Sequence, residues 1–260
     1  MAFLFNELIY QPIYNLLILI YNIIPGHDFG VAIIIVTILV KFVLIPFSRK
    51  QIESQKKMQE LQPKIKEVQQ KYKNDKEKQS RAMMELYKEN KANPFSGCLP
   101  MILQLVFLIA IYRVLFNISK DGAAAEGIYP FIYNPGVVKH VFLGFLDLSV
   151  PANIHDFSIS NAVRLLLVVA AAAAQFFQTK MLMAKSTKAK EAKEAKNDKK
   201  DPDFSQAMSQ QMLYLAPVMT LLIGLRFPSG LALYWLVSTL FMIVQQGYLQ
   251  REELKAKDSR

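Results

Sequence analysis

VAIIIVTILVKFVLIPF, residues 31–47, is an apolar run of 17 residues broken by one cation, Lys41. A helix rising 1.5 Å per residue needs about 20 such residues to cross a hydrocarbon core of ~30 Å, so this run spans a bilayer with its flanks included. Four more runs of spanning or near-spanning length follow: Leu99–Leu115, Ile159–Phe177, Met212–Leu225 and Leu231–Tyr248. The expected fold class is an all-α polytopic membrane protein with a five-helix transmembrane bundle. The 260 residues are 52% hydrophobic with a mean hydropathy of +0.19, yet carry 31 Lys+Arg against 21 Asp+Glu, a net charge of +10. One cysteine and three histidines exclude a disulfide framework, a CxxC-type zinc site and an HExxH helix.

The cations are unevenly placed. Residues 49–91 carry 13 Lys/Arg, 180–200 carry 8 and the tail from Arg251 carries 4, whereas 118–160 holds only Lys120 and Lys139. The positive-inside rule converts this alternation into an orientation, with the N-terminus outside and the C-terminus cytoplasmic. With the second segment extended through residue 210, the three basic segments hold 25 cations and 15 anions, the whole of the +10, so the charge is a topology signal. Nothing in them supports recognition of a nucleic-acid sequence. The expected organisation is an amphipathic helix and turn at 1–30 and spans at 31–48, 99–117, 159–178, 211–226 and 231–249. Between them lie a cytoplasmic helical hairpin at 49–98, an extracytoplasmic loop at 118–158, a basic cytoplasmic linker at 179–210, an outer turn at 227–230 and a tail at 250–260.

Residues 1–25 lack the basic start of a signal peptide. Leu4–Ile24 is apolar enough to span, but Glu7, Gln11, Asn15 and Asn22 fall on one stripe at 100° per residue. That pattern favours an interfacial helix on the outer leaflet over a sixth span.

In the hairpin, Ile52, Met58, Leu61, Ile65, Val68 and Tyr72 follow a repeat near 3.5. Beyond the turn at residues 73–76, Met83, Met84, Leu86 and Tyr87 are expected opposite them. Pro63 is expected to kink the first helix or open a new turn. The hairpin is either a solvated spacer or an adaptable surface for clients, with Met58, Leu61, Met83, Met84 and Tyr87 as the contact residues. Residues 185–200 read as a frayed helix or solvated linker, with attraction to ribosomal RNA or anionic headgroups as the functional alternative.

Lys41, taken as mid-span, costs about 2.5–3.5 kcal/mol on insertion scales. Either it snorkels toward Arg49 or it faces a hydrated cavity; Thr37, four residues earlier on the same face, favours the cavity. Gln104, Gln175, Gln178, Ser238, Thr239, Gln245 and Gln246 would add polarity to the inner half of the bundle, each individually an interhelical hydrogen bond. Arg113, Arg164 and Arg226 are expected to snorkel at outer helix ends, and Cys98 to be a small buried residue. His27, His140 and His155 lie in extracytoplasmic segments; no catalytic constellation is legible and no cofactor is expected.

The stretches LIYQPIYNLLILIYNIIPGHDFGVAIIIVTILVKFVLIPFSRKQ, KKMQELQPKIKEVQQKYKND, MMELYKENKANPFSGCLPMILQLVFLIAIYRVL and FPSGLALYWLVSTLFMIVQQ, in this order, resemble the YidC family of membrane protein insertases, relatives of the mitochondrial oxidase-assembly and chloroplast Albino proteins. The resemblance covers residues 8–249, in the short form without a large periplasmic domain. It implies a five-helix core around a hydrophilic groove, open to the cytoplasm and to lipid. The family's central cation is usually arginine; Lys41 keeps the charge and loses the planar fork. Thr37 and Trp235 match positions that face the substrate or line the groove, and Gln178 matches less closely; Gln104 and Ser238 complete the candidate groove.

The implied function is insertion and folding of small membrane proteins without nucleotide hydrolysis, with Lys41 attracting acidic residues of a client. Nascent membrane proteins and the bilayer are the implied partners, and the ribosome and Sec translocon further candidates. The rivals are a small anion transporter or channel built on Lys41, which predicts an internal repeat that is absent from the order of spans, and a passive assembly scaffold.

Overall fold

The computed structural model describes residues 2–90, 92–93, 99–121, 127–194 and 204–258. Cys98 and residues 195–200 of the low-complexity linker lie outside them, while residues 185–194 of it are helical. The chain divides into two compact units, one of Met1–Val43, Gln104–Gln178 and Tyr214–Arg260, the other of Leu44–Leu103 and Thr179–Leu213.

In the first unit, α1 (Ala2–Phe5), a π-helical turn (Asn6–Tyr10) and α2 (Gln11–Ile23) form one N-terminal helix. The chain turns through Gly26 and His27, both at positive φ, into α3 (Phe29–Val43). The later helices are α6 (Leu99–Asp121), α7 (Ile159–Glu194), α8 (Phe204–Gly224) and α9 (Ser229–Asp258). Three segments are long and apolar enough to cross a membrane: Phe3–Ile23, Ile159–Met181 and Ser229–Leu249. α3 has 15 residues, about 22 Å at the helical rise, and the apolar parts of α6 and α8, Gln104–Ile118 and Leu213–Gly224, are also short. The fold class is an all-α polytopic membrane protein. By length and composition the N-terminal helix qualifies as a span, and α3 qualifies together with the bent continuation of the chain at Ile45–Lys71.

The first helix of the apolar run ends earlier than the run itself. α3 stops at Val43, and α4 (Ile45–Lys71) starts with Pro46 in its first turn. Proline disfavours helical geometry in the residue before it and suits a first turn, so the break is written locally. Lys41 therefore lies in the last turn of α3 and not mid-helix.

Of the polar stripe of the N-terminal helix, Asn15 and Asn22 face protein, whereas Glu7 is exposed. Asn15, 2% exposed, donates to the Gln11 and Gly127 carbonyls at 2.9 and 3.0 Å, and its oxygen accepts from the Tyr129 N–H at 2.7 Å. Asn22 donates to the Tyr133 carbonyl at 2.6 Å, and the Tyr21 hydroxyl accepts from the Lys139 N–H at 3.0 Å. Tyr14, Leu17, Ile18 and Tyr21 are buried in the core with Phe29, Ile33, Val114 and Leu115, whereas Leu4, Leu8 and Ile23 are exposed. A helical wheel identifies the polar face but not what covers it; here a loop backbone does.

That loop carries a hairpin of β1 (Val141–Phe142) and β2 (Leu146–Asp147), paired Val141 with Asp147 and Phe142 with Leu146. Asp28 joins it to α3: one carboxylate oxygen accepts from the Val31 N–H at 3.0 Å as a cap, the other from the Leu143 N–H at 2.6 Å. The Phe142 ring rests directly on Gly30, where a Cβ would collide with it. Arg164, expected to snorkel, is buried and donates from Nε to the Asp147 carbonyl at 3.1 Å. A nearby backbone acceptor outcompetes the headgroups because a buried guanidinium needs a partner. Ser229 donates to the Val150 carbonyl at 2.8 Å, tying the start of α9 to the same loop.

In the second unit, α4 and α5 (Lys76–Glu89) form an antiparallel hairpin, with Gln79 Nε2 donating to the Gln69 carbonyl at 3.1 Å and Lys64 to Asn90 at 3.5 Å. Asp75 caps α5 through the Lys78 N–H at 3.0 Å and pairs with the Lys78 ammonium, both of which hold its carboxyl below the usual range. Ile52, Leu61 and Ile65 are buried along α4, as their spacing predicts. Pro63 is carried inside α4 without ending it; it is exposed, and water can serve the carbonyl it frees. Met84, expected to face α4, is 71% exposed, while Met83, Leu86 and Tyr87 are half-buried on one face.

Two outcomes follow from the loop contacts. Asn15→Leu removes the bonds to the exposed Gly127 carbonyl and the half-buried Tyr129 N–H, each worth about 0.5–1.5 kcal/mol net; we expect a lower melting temperature in detergent and faster amide exchange around residues 127–129. His140 packs edge-to-face on Phe29 at 5.4 Å, with Nε2 buried and unpartnered, and burial pushes its pKa below 6.5 despite the opposing pull of Asp147. The unfolded chain then binds the extra proton first, so stability conferred by neutral His140 is present above about pH 6.5 and declines as pH falls toward the folded pKa. His140→Gln should flatten that part of a melting-temperature profile.

Candidate functional site

Lys41 stands about 40° from Thr37 around α3 and about 160–200° from Leu39 and Val43, at the helical 100° per residue. Leu39 and Val43 are exposed and Thr37 is buried, so the half-buried lysine borders the packed face. Thr37 donates to the Ile33 carbonyl at 2.6 Å, which satisfies its hydroxyl within its own helix. Among the described residues Lys41 has no ion pair and no hydrogen bond. It sits where the carbonyl end of α3 favours a cation.

α9 supplies the other polar groups. Tyr234, Ser238, Phe241 and Gln245 repeat at i, i+4, i+7 and i+11 on one stripe; Trp235, Thr239, Met242 and Gln246 repeat about 100° away. Ser238 donates to Gln104 Oε1 of α6 at 3.4 Å, and Thr239 to Gln175 Oε1 of α7 at 3.4 Å. Adjacent residues of one helix thus reach two different neighbours, which follows from the angle between them. Phe241 meets Phe42 of α3 edge-to-face at 5.2 Å, placing the first stripe beside the residue next to Lys41. Gly230 allows the close approach of α9 to α3 and α6, since a Cβ there would lie 3.1 Å from Leu115 and 3.5 Å from Ile33. The third face of α9, with Leu240, Val244 and Tyr248, is exposed and apolar.

Of the candidate groove residues, Gln104 and Ser238 are joined directly, and Thr37 and Lys41 share a helix face. Trp235 is half-buried on the second α9 stripe, and Gln178 is half-buried near the end of the first unit's part of α7. No hydrogen bond joins either of them to the others among the described residues. Tyr234 escaped the sequence reading: it is 3% exposed, and its hydroxyl lies beside Ser238 and Gln104 without a hydrogen bond. Its position four residues before Ser238 was the available signal. The hairpin residues Met58, Leu61, Met83 and Tyr87 belong to the second unit, where burial pushes the Tyr87 phenol up.

These features define a polytopic membrane protein whose buried polar side chains converge on one helix and whose first core helix ends on an unpaired cation. Residues 19–257 match the model of the 60Kd inner membrane protein family. The chain is 35% identical over 225 residues to a membrane protein insertase YidC of Fusobacterium nucleatum, covering 86% of this chain and 87% of that one. It is 30% identical over 257 residues to membrane protein insertase YidC 2 of Bacillus anthracis, covering 97% and 84%. A YidC of Tolumonas auensis is 31% identical over 251 residues, 96% of this chain but 38% of its own length. The chain belongs to the 60Kd inner membrane protein family, that of the YidC insertases.

The 3.4 Å bond between Ser238 and Gln104 is long, and interhelical hydrogen bonds in membranes average about 0.6 kcal/mol. A double-mutant cycle of Ser238→Ala and Gln104→Leu, read by unfolding in mixed micelles, should give a coupling no larger than that value. The polar collar is then a matter of hydration more than of stability.

Proposed function

We propose that the protein is a membrane protein insertase that moves the short hydrophilic tail of a client across the bilayer through a hydrated groove bounded by α3, α6, α7 and α9. The observation that carries this reading is Lys41, half-buried, unpaired and on the Thr37 side of an apolar helix. The relatives named membrane protein insertases support it. Lys41 attracts carboxylates of the tail while the client's apolar segment leaves along the exposed apolar faces of α3 and α9. Each buried Leu or Ile of the client gains about 0.3–0.6 kcal/mol, so partitioning supplies the driving force without nucleotide hydrolysis. α3 is short for a span, which supports local thinning of the bilayer where the tail crosses.

The five-span count and the N-outside, C-cytoplasmic orientation belong to this reading and rest on the charge distribution. The N-terminal helix lies at the outer boundary, supported by its bonds to the loop along its length from Asn15 to Asn22. The α4–α5 hairpin receives clients, offering Met84 to solvent, and the basic inner segments approach the ribosome; a Sec translocon is a further candidate partner.

Reconstitution with one client whose tail carries acidic residues tests the role of Lys41. A charge-assisted contact is worth about 1.5–3 kcal/mol, roughly tenfold or more in rate. Lys41→Arg should retain insertion, Lys41→Ala should lose about tenfold, and Lys41→Glu should lose most, with a neutral-tailed client little affected. Equal insertion by all four proteins would sink the electrostatic role.

A further inference from the structure

The loop held over the ends of the helices presents its apolar residues outward. Phe131, Leu143, Phe145, Ile154, Phe157 and Ile159 are all exposed, Phe131 at 80% and Phe157 at 95%. Scattered exposed apolar residues are ordinary, but two features set these apart.

The first is the hairpin tip. Strand alternation turns Phe142 inward onto Gly30 and Leu146 into the core, leaving Leu143 and Phe145 pointing away. Leu143 holds a left-handed backbone, φ 53°, followed by Gly144 at φ 79°. Asn, Asp or Gly is the usual choice there, and a bulky leucine is strained. The Asp28 carboxylate on the Leu143 N–H, at 2.6 Å, fixes the tip in that conformation. An exposed, strained leucine at a rigidly held tip has no rationale in water.

The second is continuity. α7 exposes Ile159, Ala162, Leu166, Val169, Ala173 and Phe177, a stripe at the helical period of about 3.6 running along the span. Phe157 and Ile154 prolong that stripe beyond the helix start. The acids nearby are turned into local bonds: Asp147 accepts from the Ser149 N–H and hydroxyl, and Asp156 from those of Ser158, which hold the Asp156 carboxyl below the usual range.

We propose that this loop is a second membrane anchor, with the 143–145 tip and the 154–159 segment seated in the interfacial region of the outer leaflet. The occupant of the apolar surface is lipid, continuous with the lipid around α7. Amphipathic elements seat about 5–10 Å into the headgroup and acyl boundary, and aromatic residues favour that depth. The loop is then held between the helices and the bilayer, so that the outer end of the unit stays closed while the inner half hydrates. The side of the membrane rests on the orientation proposed above; the lipid contact does not.

The test uses the full chain with Cys98→Ser, reconstituted alone in phosphatidylglycerol/phosphatidylethanolamine vesicles. Spin labels are placed at Leu143→Cys, Ile154→Cys and Phe157→Cys, with exposed Lys139→Cys as the aqueous control. The expected result is an inverted collision ratio: labels at 143, 154 and 157 meet lipid-dissolved oxygen more than a water-soluble nickel chelate, and 139 the reverse. Ile154 provides an unstrained site if position 143 does not accept the label. Nickel access at 154 and 157 equal to that at 139 would overturn the anchor. So would shielding from both reagents, the mark of a second copy covering the patch. Client insertion in the same vesicles, and reaction of Lys139→Cys with an impermeant maleimide from outside intact cells, report separately on the insertase reading and its orientation.

Discussion

A single buried amide holds the N-terminal helix to the loop that crosses the helix ends. Asn15 closes three hydrogen bonds, one within its own helix and two to the backbone at Gly127 and Tyr129. Backbone groups of a loop packed on apolar helices are best served by nearby side chains where the helices limit access of water. Asn22, Tyr21 and Asp28 continue the service along the loop, and Arg164 and Ser229 provide it from the other side. The loop is thereby fixed to α2, α3, α7 and α9, and everything at that end of the unit inherits its position.

The opposite end follows a different logic. Ser238 and Thr239 make single long hydrogen bonds to Gln104 and Gln175, and the Tyr234 hydroxyl makes none. Groups so loosely satisfied are poor glue and good hosts for water or for a polar chain in transit. One end of the unit is thus held by short bonds to backbone and the other lined by side chains with capacity to spare.

Much of this was legible in the sequence. Apolar runs located the core helices because hydrophobicity over a span is a sum insensitive to detail, and the 3.5-residue repeat placed Ile52, Leu61 and Ile65 in the hairpin correctly. Directions were harder. The stripe through Asn15 and Asn22 was visible as a stripe, but its covering came from residues more than 100 positions away. Arg164 obeyed a rule for helix ends only until a loop carbonyl lay within reach. Met84 lies about 100° around the helix from the half-buried face that Met83, Leu86 and Tyr87 share, so it is left to solvent. In the candidate site, the shared helix face of Lys41 and Thr37 was legible from i, i+4 spacing, whereas the burial of Tyr234 was not, since a tyrosine in an apolar run carries no sign of whether its hydroxyl finds a partner.

The break at Leu44 carries one more consequence. It fixes where α3 ends, and Asp28 fixes where it begins, so the helix between them is metered in whole residues. Lys41 owes its bearing to that count as much as to its charge. One residue added between Thr37 and Lys41 would swing the ammonium about 100° toward the exposed side of the helix while leaving composition, charge and hydropathy nearly unchanged. The cation is aimed by arithmetic, and a chain that kept every functional side chain but lost the count would point it into lipid.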